Sequence, residues 1–290
     1  QKSNQYLLNT FDTKGEYRPS FTDAQFLTGF DFSKKWNLEV FGNYARNRYN
    51  LIPENRETNF GTISDAKRLT VYFDGKELDR YITFTGATSL TYRASETTKH
   101  KLVLSAYRTR EEENFDILGQ YFLDQLEADL GKPGFGDIAF NLGVGSFLSH
   151  ARNRLDATVA SAGYLGDHVQ KNGLLSWGIK VQEESFRDKM HEWNYLDSAG
   201  FSIPSDRDSA NPVITLNDVV IAKNNIDSRR FSSYLQETWQ PGGSKKLSVT
   251  VGGRLLYYSL NEQWMLSPRG SLVYKPDPDK DLSFRASGGV

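Results

Sequence analysis

The sequence predicts an all-β chain, an antiparallel up-and-down sheet of about eleven strands that crosses a membrane as part of a β-barrel. Three observations predict it. Apolar residues recur at every second position, the period of a strand with two unlike faces. No apolar run approaches the roughly 18 residues of a membrane helix, although the chain of 290 residues holds 18 Phe, 15 Tyr and 5 Trp. Short and long connections alternate, as they do when strands run up and down between two unlike ends. Composition removes other classes. Aromatic residues at 13% argue against disorder. The absence of Cys excludes disulfides, thiolate metal sites and cysteine nucleophiles together. Lys+Arg at 35 against Asp+Glu at 36 leaves no basic excess, so no nucleic-acid partner is expected.

The strands follow in chain order. Over 24–32, Ala24, Phe26, Thr28, Phe30 and Phe32 share one face, and Gln25, Leu27, Gly29 and Asp31 the other. Over 36–44, Trp36, Leu38, Val40, Gly42 and Tyr44 oppose Asn37, Glu39, Phe41 and Asn43. Over 82–92, Ile82, Phe84, Leu90 and Tyr92 alternate with threonines, Ala87 and Ser89. The segments 100–114, 148–166 and 229–240 are strands of less clean pattern. Over 175–182, Leu175, Trp177, Ile179 and Val181 oppose Ser176, Gly178, Lys180 and Gln182. The chain closes with strands at 247–257, 266–274 and 282–290.

Five connections are short and polar, with the Pro, Gly, Asn, Asp and Lys of tight turns: 33–36, 94–99, 167–172, 241–246 and 276–281. Three others are long, at 50–78, 114–148 and 190–229. Soluble all-β domains turn about every 8–12 residues, whereas strands here recur roughly every 26 residues. Trp36, Tyr92, Trp239 and Tyr274 stand at the short-turn ends, where an interfacial girdle of amphipathic rings belongs. One segment breaks the period. Leu118, Phe122, Leu126 and Leu130 recur at i+4, which predicts a short amphipathic helix over 116–130 inside an outer loop, stopped by Gly131.

No catalytic constellation is present, and neither enzyme activity nor a cofactor is expected. His100, His150, His168 and His191 show no zinc-binding spacing, and no GxSxG elbow occurs. Asp277, Asp279 and Asp281 alternate like calcium ligands but are interleaved with prolines, and read as a turn. Ligand-binding candidates are Trp193 and Tyr195, aromatics of the long 190–229 connection that could stack on a sugar or peptide, and Arg254, Arg269 and Arg285, charges on the lumen face. For these arginines, pairing with carboxylates of the wall or of a plug is the competing role. A passive porin or adhesin-like barrel and a soluble carbohydrate-binding β-domain are the rival functions.

The run Asn43–Arg56, Phe60-Gly-Thr62, Val71-Tyr-Phe-Asp-Gly75, Glu113–Tyr121, Ala139–Gly145, His150–Asn153 and the hairpin Leu266–Pro276 with Leu282–Arg285 resemble the barrel of TonB-dependent receptors of the Bacteroidetes type. The resemblance covers nearly the whole chain. It implies a 22-stranded barrel in the outer membrane of a Gram-negative cell, surrounded by lipid. It also implies an N-terminal plug, and a carboxypeptidase-regulatory-like domain before it. Such receptors import a scarce siderophore, vitamin, glycan or peptide with energy from the TonB–ExbB–ExbD complex. Residues 1–290 would be a partial barrel domain. The plug and TonB box would lie upstream, and the remaining strands beyond Val290.

Overall fold

Alternation becomes a single curved layer. The computed structural model of the chain describes residues 15–198, 216–243, 246–277 and 282–290. Among these, the strands are β1 (Gly15–Tyr17), β2 (Ser20–Asp31), β3 (Trp36–Pro53), β4 (Arg56–Thr62), β5 (Asp65–Arg93) and β6 (Thr98–Leu126). The second half adds β7 (Ile138–Gln170), β8 (Gly173–Ser198), β9 (Asp218–Trp239), β10 (Leu247–Tyr258), β11 (Gln263–Tyr274) and β12 (Phe284–Gly289). All lie in one antiparallel sheet in chain order. Strands β1 and β2 both pair β3, and β3 and β4 both pair β5, so twelve segments fill ten positions across the wall. That agrees with the expected fold class. None of the described residues forms a helix long and apolar enough to cross a membrane.

A single layer has no interior. Leu126, Ala151 and Ala157 are the buried hydrophobic residues among those described, while Phe84, Leu104, Ile179, Val181, Leu235 and Val251 are each 45% exposed or more. Register settles which face they share. The pairs Leu38↔Leu90, Leu90↔Leu102 and Leu102↔Tyr164 run on through Tyr164↔Ile179, and residues directly opposite each other point the same way. With Trp177↔Leu235 and Val181↔Phe231 on β9, and Leu255↔Leu266 between β10 and β11, this places one apolar band on one face from β3 to β11. The other face buries Ser89, Thr91, Thr109, Glu184 and Ser228.

The band has a girdle at each margin. At the short-turn end, Trp36 stacks on Tyr92 at 4.4 Å, Tyr92 stacks on His100, and His100 stacks on Tyr164 and meets the edge of Trp177. His100 Nδ1 and Tyr164 Oη share a hydrogen bond of 2.7 Å. At the other margin lie Tyr44 against Phe84 and Tyr257 against Trp264. Trp36 and Tyr44 are about 26 Å apart along β3 by the strand rise, which projects to roughly 20 Å on a barrel axis to which strands tilt about 40°, somewhat less than the roughly 25 Å height of an apolar band in a membrane barrel.

Short turns close with local hydrogen bonds. Ser33 Oγ accepts from the Lys35 and Trp36 amides, and Ser95 Oγ from those of Thr97 and Thr98. In the β9–β10 turn, Gly242 adopts φ 65, a left-handed conformation that suits glycine.

Two expectations are corrected. The segment 116–130 is not a helix. Strand β6 continues to Leu126, pairing β5 through Gln125↔Lys67 and β7 through Leu126↔Ile138, and 127–137 is a turn. Spacing of i+4 is also a multiple of two, so Leu118 and Phe122 fit one strand face as well as one helix face. Neighbours on both sides satisfy the backbone here, which outweighs the local pattern. The long connections, where they are described, are likewise mostly strand: β5 and β6 reach 29 residues, β7 33, β8 26 and β9 22. A crossing takes only about 9–11 residues. The rest forms a crest beyond the band, which falls away at β10 and β11, 12 residues each. Residues 199–215 of the 190–229 connection, and Asp279 and Asp281, lie outside the described residues.

Candidate functional site

The polar face is the candidate, and its charges divide into two kinds. Some are paired. Glu39 accepts from Ser89 and from Lys101 at 3.1 Å across β3, β5 and β6. Glu184 on β8, 6% exposed, accepts from Ser228 at 2.9 Å and pairs with Arg230 at 3.1 Å, and the Arg230 guanidinium lies 4.4 Å over the Tyr258 ring. Burial of a carboxylate requires such partners. These groups hold the wall.

Others have no ion-pair partner among the described residues: Lys180 on β8, Arg254 on β10, Arg269 on β11 and Arg285 on β12. Arg254 stands opposite Tyr234 and Ser267, and Arg269 opposite Gly252, one alternate position away. Lys180, Tyr234 and Arg254 line a hollow of about 290 Å³ with Ser105 and Ser161. Tyr234, Arg254 and Arg269 line the next, of about 210 Å³. Arg269 continues into a third, of about 580 Å³, with Gln236, Ser271 and Ser287. Gly178 lies opposite Tyr234, and its missing side chain leaves room for the tyrosine ring, which a Cβ would strike. The result is a cationic strip interleaved with hydroxyls. Unpaired guanidinium groups side by side suit a carboxylate or phosphate, which they can bind bidentately.

Of the sequence-derived candidates, Arg254 and Arg269 are thus brought together. Arg285 shares their face but stands opposite Val273 and lines none of the three hollows. Trp193 and Tyr195 are not in a loop. They belong to β8, opposite His150 and Leu148, on the face that carries the apolar band. Trp193 stacks on His150 at 4.7 Å, and His150 Nδ1 bonds Asp116 at 2.6 Å. Two partners of Arg254 are not among those candidates: Lys180, which the sequence places on the polar face of 175–182, and Tyr234. Tyr234 is legible only once Ser232, Tyr234 and Gln236 are recognised as one face of the mixed 231–239 pattern.

A second cluster lies in the crest on the same inner face. Glu77 and Asp79 of β5 and Glu113 of β6 place one carboxylate oxygen each within 4.8 Å of one another. Tyr17 stacks on Tyr49, and Tyr49 meets Tyr81 edge-on, both at 5.8 Å. Burial, then the charge of their acidic neighbours, holds the Glu77 and Asp79 carboxyls above the ordinary range. Asp79 Oδ1 is buried without a partner among the described residues. Three converging oxygens could ligate a hard cation, or share protons in its absence.

The family model described as TonB dependent receptor-like, beta-barrel, matches residues 2–289. None of the curated proteins matches the chain.

Proposed function

The chain belongs to the TonB-dependent receptor-like β-barrel family, outer-membrane receptors and transporters of Gram-negative bacteria, and on that premise we propose that it forms wall and vestibule of a receptor that imports a scarce anionic ligand with energy relayed by the TonB–ExbB–ExbD complex. One observation carries the reading. The register sends the apolar groups of β3 to β11 to one face and a cationic strip, Lys180, Arg254 and Arg269, with no ion pair among the described residues, to the other. A wall facing lipid on one side and a charged ligand path on the other needs that division.

The two sheet edges, at β2 and β12, carry backbone groups with no cross-strand partner among the described residues. Lipid does not tolerate them, which supports closure of the wall by further strands; a total of 22 strands and a plug are what the resemblance to the family implies. The motifs quoted above support a place among Bacteroidetes-type members. Arg254 and Arg269 are assigned to the ligand's anionic group, with Arg285 on the same face; Trp193 and Tyr195, on the opposite face, are not assigned to that contact.

The test is uptake by cells carrying the full-length receptor or its in-frame deletion, supplied with a ferric siderophore, cobalamin, an acidic oligosaccharide or a peptide as the limiting nutrient. Deletion is expected to abolish uptake of one of these. A protonophore is expected to do the same, and R254Q/R269Q to lower uptake about tenfold or more, as for removal of charged partners from a desolvated contact. Uptake that survives the protonophore would make the barrel a passive channel.

A further inference from the structure

The outer face changes character just beyond its aromatic margin. The next alternate positions after Tyr44 on β3 are Arg46 and Arg48, and Arg108 and Arg110 follow Ala106 on β6. Between them on β5 stand Ile82 and Arg80. Register packs these groups together: Arg46↔Ile82↔Arg110 on one rung, Arg48↔Arg80 on the next, and Phe84↔Arg108 on the one before. Five arginines therefore surround Ile82 on three neighbouring strands about 4.8 Å apart.

Within the sheet this charge is poorly neutralised. Arg110 takes Asp156 at 2.9 Å, and Arg80 has Glu112 only at 3.8 Å. Arg46, Arg48 and Arg108 are exposed and have no ion pair among the described residues. Like charges directly opposite each other, as Arg48 and Arg80 are, destabilise a sheet. An external anion resolves that cost. It must lie on the lipid-facing side, one or two alternate positions past the Tyr44–Phe84 pair, or roughly 7–13 Å along the strand. Acyl chains alongside Val40, Leu90 and Leu104 would end at that height, so the apolar band and the arginines read as two parts of one amphiphile's footprint.

We propose that Arg46, Arg48, Arg80 and Arg108 bind the phosphate of an anionic membrane lipid whose chains lie on the adjoining apolar band. The proposal rests on the membrane-spanning reading above. Guanidinium forks suit phosphate oxygens, and the long arginine stems can reach down over Ile82 and Phe84 while the head meets the headgroup layer.

The full-length receptor in neutral detergent, probed by native mass spectrometry with dioleoyl phosphatidic acid, dioleoyl phosphatidylcholine or inorganic phosphate, tests it. The variant is R46Q/R48Q/R108Q, which breaks no ion pair among the described residues. Wild type is expected to hold phosphatidic acid at least about tenfold more tightly than phosphatidylcholine. The variant should lose about tenfold or more of that affinity, because each cation at such a surface contributes roughly fivefold. Equal retention of phosphatidic acid by variant and wild type overturns the proposal, as does no preference over phosphatidylcholine. Displacement of the lipid by equimolar inorganic phosphate also overturns it, because the patch would then be a free-phosphate site. Reconstitution into phosphatidylcholine vesicles separates the two readings. A receptor that inserts but shows no preference refutes the patch alone, whereas one that stays monodisperse without detergent refutes the membrane reading.

Discussion

At the scale of the residue, two positions in the crest carry measurable consequences. Glu77 keeps its proton to a higher pH in the fold than in the unfolded chain, because it is partly buried and faces Asp79 and Glu113. A raised carboxyl pKa stabilises the fold fully below the unfolded value, and that contribution is lost as pH rises through the folded value. E77Q removes the loss. At pH 8 its β3–β5 amides around Leu51↔Glu77 should exchange more slowly than wild type, after correction for intrinsic rate; at pH 4 the two should match. Exchange identical at both pH values would show that the carboxylates do not repel. Gly75 is the second position. It adopts φ 103, its amide donates to Asp74 Oδ1 at 2.8 Å, and an added Cβ would collide with the Asp116 carbonyl of β6. G75A should cost about 1–3 kcal/mol locally, the scale of a strained backbone position. The expected signature is faster exchange at Asp116 and Ile117, with the membrane-level residues of β5 unchanged.

At the scale of the element, the crest of β6 shows how neighbours decide conformation. A leucine and phenylalanine spacing that suits a helix lies in a strand because β5 and β7 extend equally far on either side. Packing on the inner face adds to this: the Phe147 ring of β7 covers Gly119, and Tyr121 of β6 lies over Gly145. A proline in a central strand removes a ladder hydrogen bond and is poorly tolerated. Q120P, between Tyr72 and Ser146, should therefore open the crest to limited proteolysis near 118–124, while the segment nearest the short turn stays protected. An intact crest in Q120P would mean that the strand pairing there contributes little. The elements were legible in the sequence where one face is apolar and the other polar, as in β3, β5 and β8. They were not legible in the crest, where strands meet water on both sides and the contrast between faces disappears.

At the scale of the whole molecule, the faces themselves can be tested. Leu104 belongs to the lipid side and Ser105 to the lumen side, where its hydroxyl bonds Ser161 at 2.8 Å. In the full-length receptor in membranes, cysteine at 105 should react with a charged maleimide, and cysteine at 104 only with a lipophilic one. The reverse result would invert the sheet. The sequence by itself determined the fold class, the apolar band, the short-turn girdle and the sign of Arg254 and Arg269, because a period of two fixes which residues share a face without reference to any partner strand. The tertiary structure alone decided the height of the crest, the lack of ion pairs at the inner arginines beside Tyr234 among the described residues, the outward placement of Trp193 and Tyr195, and the gathering of five arginines around Ile82. Those features depend on register between strands tens of residues apart, and pairing at that distance is set by the summed ladder rather than by any local pattern.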